Sequence, residues 1–378
     1  MNVADDAVHL ASELVSVDSV NPSLVPGAAG EERIVELLSS RLARSGFTIT
    51  VVPAPGRERR PSLIAVPPTI GDVPTVVLNG HLDTVGVAGM SDPFTPRVEG
   101  DRLYGRGAAD MKGGVAALVV AAERLVATGA PVRPVLALVA DEEDASMGSE
   151  AVIAALPGFD LRPDACLIAE PTDLAVTRSL RGFAVLRVRL RGRAAHSSQA
   201  ELGINALTHL GRLLHAVDER ARQVQAHGGD LMVTLAHGGS SAFVVPDRAE
   251  CLVEMRLPPD QACTDALREV QALLDPRWQA EIELVTGRDG WRVDEDGAAA
   301  HLGTALGKRL GTGPTFDAPY WMEAQLWQQV CPTVVCGPSG GGLHAVDEWV
   351  DLGQVRAFSE ALVQVLQDWP VEDRSQTR

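Results

Sequence analysis

At 378 residues the chain is too long for most single cores, so two domains are expected, each large enough to bury an apolar interior of its own. Acids outnumber bases by 50 to 33, and the resulting net charge of -17 repels nucleic acid and anionic membrane rather than gathering them. The opening MNVADDAVHL carries two acids and no base. No stretch approaches the roughly 20 apolar residues of a membrane helix, so a cytoplasmic chain that is neither exported nor membrane-spanning is expected.

Residues 31–44 (EERIVELLSSRLAR) place Ile34, Leu37, Leu38 and Leu42 on one helical face, and Gly46 then ends the helix and releases an apolar strand. Short apolar runs follow at Thr75 to Leu78, Val132 to Ala140, Ala165 to Ala169 and Thr333 to Cys336, each brief enough for a buried strand, with a helix expected over Met111 to Ala127. The stretch from about 180 to 290 differs: strands at Phe183 to Leu190 and Ala249 to Leu257 accompany amphipathic helices near Leu202 to Val217 and Thr264 to Leu274. The pattern predicts an α/β catalytic domain formed by residues 1–179 and 291–378, with a mixed, mostly parallel sheet flanked by helices. Residues 180–290 are expected to form an inserted α+β domain, to which the family resemblance given below assigns the part of lid and dimerisation domain. The polar tail after Pro370 is expected to fray.

In open α/β sheets ligands bind beyond the carboxyl ends of the strands, and here those ends carry acid or imidazole. After the first run comes Asn79-Gly80-His81-Leu82-Asp83, after the second Asp141-Glu142-Glu143-Asp144, after the third Glu170, and after the fourth a glycine-rich loop leading to His344. Paired zinc-type ions in hydrolytic sites take imidazole and carboxylate and share a bridging carboxylate. His81 and His344 can each supply an imidazole, Glu143 and Glu170 a terminal carboxylate, and Asp110, in GRGAADMKGG, the bridge. Three such carboxylates with a hydroxide balance two divalent cations, whereas the same acids without metal repel one another and take up protons. Taken singly, His81 in an HxD is a surface turn, the DEED run a solvated loop and His344 a structural histidine. Their joint placement after predicted strands favours the metal reading. The five cysteines, Cys166, Cys251, Cys263, Cys331 and Cys336, form an odd set without a CxxC pair and read as reduced thiols, not as a disulfide framework or a thiolate zinc site.

These residues resemble the co-catalytic zinc metallopeptidases and deacylases that include acetylornithine deacetylase, succinyl-diaminopimelate desuccinylase, aminoacylase and the glutamate carboxypeptidases. The resemblance covers nearly the whole chain and rests on GHLDTV at Gly80 to Val85, GRGAADMKGG at Gly105 to Gly114, DEE at Asp141 to Glu143, AEPT at Ala169 to Thr172, GRAAHSS at Gly192 to Ser198 and HAVDEWV at His344 to Val350. It implies two divalent ions, zinc or else cobalt, with His81 and Glu170 on one, Glu143 and His344 on the other, Asp110 between them and a cis peptide before Met111. It also implies that Asp83 orients the His81 imidazole, the competing reading being a turn-forming Asx residue. Glu142 is implied as the general base that takes a proton from water and passes it to the leaving nitrogen.

By the same resemblance His196, from the inserted domain, stabilises the oxyanion, often in the partner subunit's active site, which implies a homodimer. Arg256 clamps the substrate carboxylate, a task suited to a guanidinium fork, although a plain strand arginine fits the position as well. Gly341, in the GPSGGG loop, permits close backbone approach to substrate, and Glu323 receives a substrate amine or caps local structure. Three departures stand out. Ala200 replaces a usual proline, Phe243 stands where the family commonly has a polar asparagine, and Tyr320-Trp321-Met322-Glu323-Ala324 lacks the threonine of similar stretches. The expected substrate is a small N-acyl amino acid, as in acetylornithine deacetylase. The alternatives are a desuccinylase, a dipeptidase or carboxypeptidase, and a dimeric binding protein without catalysis.

Overall fold

The computed structural model describes residues 2–68, 71, 73–312 and 316–369, so the tail after Pro370 lies outside the described residues. The chain forms two compact units. The first comprises Met1–Arg178, Val293–Phe316 and Glu323–Arg378, and the second Ser179–Arg292 with Asp317–Met322. The short piece Asp317–Met322, placed by the sequence reading within 291–378, thus belongs to the second unit. There the Ser179 hydroxyl donates to Asp317 and the Arg181 N–H to the Ala318 carbonyl.

In the first unit the strand Thr75–His81 lies between Arg133–Val139 and Ala165–Ile168, parallel to both, and Thr333–Val335 continues the parallel run beside Ala165–Ile168. These four strands are buried almost throughout, as a parallel sheet covered by helices requires, and this is why each carries a short apolar run. Antiparallel strands flank the parallel centre. The hairpin of Thr48–Ala54 and Arg57–Val66 pairs with Arg133–Val139, and Thr177–Leu180 pairs with Thr333–Val335. The fold is the expected mixed, mostly parallel α/β sheet.

Helices Val3–Val15, Gly113–Thr128 and Leu352–Gln367 pack on one another, and Gly113–Thr128 also lies on Thr75–His81 and Arg133–Val139. That helix starts at Gly113, two residues later than expected, because Asp110 and Met111 leave the helical region (φ -121°, ψ 92° and φ -130°, ψ 36°) across a cis peptide bond. Gly114 lets its first turn touch the sheet: a Cβ there would stand 2.3 Å from the Ala169 carbonyl oxygen, next to Glu170.

The second unit is built on a four-stranded antiparallel sheet in the order Asp230–Gly238, Arg248–Leu257, Gly182–Arg191, Gln279–Arg288. Its two central strands alternate buried and half-buried residues, the pattern that made them legible. The edge strands are more exposed: Asp230–Gly238 carries no such pattern, Gln279–Arg288 alternates only between exposed and half-buried residues, and the sequence reading passed over both. Helix Ala206–Ala226 packs against the sheet. It begins after Asn205, whose side chain accepts the N–H groups of Leu207 and Thr208, and it runs nine residues past the expected end, while Leu202 closes a separate turn, Ser197–Leu202.

Candidate functional site

Four parallel strands present their carboxyl ends along one edge of the sheet, and that edge gathers residues far apart in sequence. His81 is the last residue of Thr75–His81, the central strand of the three; Glu142 and Glu143 follow Arg133–Val139 on one side of it, and Glu170 follows Ala165–Ile168 on the other. The imidazole can therefore face both groups. Donor atoms of His81, Glu142 and Glu170 lie within 4.8 Å of one another, and so do those of His81, Asp110 and Glu143.

Asp110 uses its two oxygens in two directions. Oδ1 is 2.9 Å from His81 Nε2, whereas Oδ2 is 3.3 Å from His344 Nε2, which also lies 3.1 Å from Glu143 Oε2. His344 sits on a residue with φ +61° and is half exposed, while His81 is buried. The structure thus brings together His81, Asp110, Glu142, Glu143, Glu170 and His344.

The charges at this edge are strongly perturbed. Burial, with the charge of Glu170, drives Glu142 well above the usual carboxylate range, and burial pushes Glu170 up to about 8. Burial also raises Glu143, with the charge of Asp110 adding to it. For His81, burial works against the cation, but the hydrogen bond to Asp110 and the charge of Glu170 outweigh it and hold the imidazole well above its ordinary value. Hydrogen bonds to Asp110 and Glu143 push His344 up to about 10. Carboxylates that take up protons beside imidazoles that keep theirs mark a cluster short of positive charge. Two imidazoles and four carboxylates are also the donor set of a zinc-type centre, so the residues present fit a pair of divalent cations.

The sequence pattern of peptidase family M20/M25/M40 matches residues 77–368, from the strand that ends in His81 to the C-terminal helix. The chain belongs to this family. Acetylornithine deacetylase of Proteus mirabilis is 27% identical over 97% of the chain and 98% of that protein, and succinyl-diaminopimelate desuccinylase of Zymomonas mobilis is 26% identical over 95% and 97%. The fold is shared with the aminopeptidase PepT of Bacillus cereus (TM-score 0.78, 17% identity, 97% and 98% covered). It is also shared with the YXEP protein of Bacillus subtilis, described as a dinuclear metal-binding peptidase of the M20 family (TM-score 0.72, 15% identity, 97% and 99% covered). The protein is a hydrolase of the M20 family.

In this M20 chain Asp83 meets the His81 imidazole chiefly through its main chain. The Asp83 carbonyl lies 3.0 Å from His81 Nδ1, and carboxylate Oδ1 stands farther off, 3.7 Å from the same nitrogen. The carboxylate instead accepts the main-chain N–H groups of Glu142 and Glu143, at 3.1 and 3.2 Å, and the side-chain amide of Asn21 at 2.8 Å. Asn21 also donates to Asp141, which pairs with Arg60, which is in turn forked onto Glu31. Sequence reasoning passed over Asn21, Arg60 and Glu31, because they lie in ordinary-looking N-terminal segments with no motif around them.

Glu323 is buried in the first unit. It accepts the Ser149 hydroxyl at 2.8 Å, Ser149 in turn accepts the indole N–H of Trp327, and the other Glu323 oxygen has no hydrogen-bond partner among the described residues. Burial raises this carboxyl to about 7. Gly341 lies in the two-residue strand Gly340–Gly341, where a Cβ would meet the Trp349 indole nitrogen at 2.8 Å, so the position serves close packing. His196 and Arg256 belong to the second unit. His196 is exposed with Nδ1 2.8 Å from the Ser198 hydroxyl, and Phe243 beside it is 71% exposed. Arg256 is paired with Glu254 at 2.9 Å and lies over the Phe183 ring, engaged within its own sheet.

Proposed function

We propose that this M20 hydrolase cleaves the amide bond of an N-acyl amino acid, in the manner of its acetylornithine deacetylase relatives. His81 and Glu170 would hold one divalent ion, Glu143 and His344 a second, and Asp110 both, with zinc the expected metal and cobalt the alternative. The observation that carries the reading is the division of Asp110, one oxygen toward His81 and the other toward His344. A carboxylate so placed between two imidazoles is suited to bridging a pair of ions. When bound, such a pair supplies Lewis acidity to the attacking water and the scissile carbonyl.

The remaining chemistry falls to the chain's own side chains. Glu142, held by its main-chain N–H on Asp83, takes a proton from the attacking water and returns it to the leaving nitrogen, releasing the free amine and the acid of the acyl group. Burial raises its affinity for protons above that of an ordinary carboxylate, the direction that suits a group which both takes and returns a proton. Glu323, with one carboxylate oxygen unpartnered, is the candidate acceptor for a substrate ammonium. We further read His196 as the oxyanion donor, Arg256 as the carboxylate clamp and Gly341 as a point of close substrate approach. The acting form is read as a cytoplasmic homodimer. The exposed Leu202, Ile204, Leu207, Met232 and Leu235 of the second unit support the dimer, and sedimentation equilibrium tests it.

The function is tested by metal analysis of the purified protein, then by hydrolysis of a panel of N-acetyl and N-succinyl amino acids and dipeptides with and without chelator. Preferred turnover of N-acetylated basic amino acids, lost with chelator and restored by zinc or cobalt, supports the reading. A preference for N-succinyl substrates or dipeptides moves the assignment within the family, toward the desuccinylase relative or the peptidases. Bound metal without turnover of any panel member favours a binding protein.

A further inference from the structure

Two charged residues with no place in the mechanism above are buried beside it. Arg106 and Glu348 are 2% and 1% exposed, and Arg106 Nη1 donates to Glu348 Oε2 at 2.6 Å. The same carboxylate accepts the main-chain N–H groups of Gly107 at 3.0 Å on Oε2, and of Ala109 at 3.0 Å and Asp110 at 3.1 Å on Oε1. Arg106 spends its other donors on two further loops: Nε reaches the Gly86 carbonyl and Nη2 the Ala345 carbonyl, each at 3.1 Å. Gly86 lies three residues after Asp83, and Ala345 directly follows His344.

This one ion pair is therefore hydrogen-bonded to the turn that carries Asp110, to the loop that carries His344 and to the segment leaving His81 and Asp83. Glu348 is itself fixed from behind, because its carbonyl accepts Gly105 N–H at 3.1 Å and the next residue, Trp349, pairs with Tyr104 in a short ladder. Gly107 turns with φ +76°, and a Cβ there would stand 2.6 Å from a Thr84 methyl, so the turn around the carboxylate has no slack.

We propose that Arg106 and Glu348 are a positioning pair that sets the spacing of His81, Asp110 and His344 and so the affinity of the site for its ions. The inference rests on the metal-site reading above. Outer partners of metal ligands act in this way because a ligand whose main chain can drift no longer meets the ion at a fixed distance.

The test strips the full-length protein of metal and titrates it with Co(II), followed by calorimetry and by the visible absorption band, with a urea unfolding midpoint for each variant. Glu348→Gln cannot accept through its amide nitrogen, and Arg106→Lys keeps the charge while losing the fork that spans three loops. Both are expected to weaken Co(II) binding by about 10- to 100-fold and to alter the band. Glu123→Gln is the control, breaking a pair with Arg41 (2.7 Å) elsewhere in the same unit, and it is expected to lower the urea midpoint with neither Co(II) readout changed. Wild-type affinity and spectrum in both variants overturn the pair proposal while leaving the metal site standing. A wild-type chain that takes up no Co(II) overturns the metal reading itself. Should Glu348→Gln not fold, Arg106→Lys decides by the same two readouts.

Discussion

The carboxylate of Asp83 accepts the main-chain N–H of Glu142 at 3.1 Å. Two residues past an imidazole of the candidate site, Asp83 thus organises the acidic loop on the neighbouring strand, while its own carbonyl steadies His81. Asp83→Asn keeps that carbonyl but leaves one oxygen where two had three N–H groups to accept. Turnover is expected to fall about 10- to 100-fold, with weakened uptake of the ion proposed for Glu143 and His344 and little change in the one proposed for His81 and Glu170. Stepwise metal titration of the variant checks this. Loss confined to the His81 ion would mean that the Asp83 carboxylate acts through the imidazole rather than through the acidic loop.

Glu142 offers a donor atom within 4.8 Å of those of His81 and Glu170, close enough to be read as a ligand as well as a base. Glu142→Gln separates the two roles, because an amide cannot carry the proton. The proposed base predicts a loss of roughly 100- to 10,000-fold in kcat with two ions still bound. A drop in bound metal to one ion per chain would make Glu142 a ligand instead.

How legible the site was depended on where each residue sat. His81 ends one buried strand, and Glu142, Glu143 and Glu170 follow two others; the apolar runs of all three announce themselves, so the shared edge could be anticipated from the order of elements. The groups that hold them were not legible. Asn21 reaches Asp83 across 62 positions and Glu348 reaches Asp110 across 238, and no periodicity encodes contacts of that span. The same limit applies to Asp83, whose position two residues after His81 does not tell a carbonyl contact from a carboxylate one. In the second unit, Asp230–Gly238 is exposed along most of its length and gives no alternation to read, whereas Gln279–Arg288 does alternate, with Ala280, Ile282 and Leu284 half-buried against the core, and was overlooked.

Glu323 tests the choice of substrate. Ser149 occupies one of its oxygens and the other has no hydrogen-bond partner among the described residues. A hydrogen bond to a charged partner is worth about 1.5 to 3 kcal/mol, or roughly 10- to 150-fold in binding. Glu323→Gln keeps the shape and is expected to raise KM by that factor for N-acetylated amino acids with a side-chain ammonium, with little effect on uncharged N-acetyl substrates. Equal effects on both classes would assign Glu323 to local structure, alongside Trp327 and Ser149.

Glu31 predicts a pH dependence that does not involve the candidate metal ligands. Burial raises its carboxyl from 4.5 to about 7, the hydrogen bond from Arg60 only limiting the rise. The folded value lies above the unfolded one, so the contribution of this group is fully present below about pH 4.5 and is lost as pH climbs through 7. Each unit of such a shift is worth about 1.4 kcal/mol. Glu31→Gln cannot ionise, so it should lack this slope and gain on the wild type by about 1 to 3 kcal/mol between pH 4.5 and 8. Urea unfolding of both proteins, freed of metal, at pH 5 and pH 8 checks the sign. A wild type that gains on the variant as pH rises would mean that the Arg60 fork, at 2.6 to 3.1 Å, outweighs burial and keeps Glu31 ionised well below neutrality.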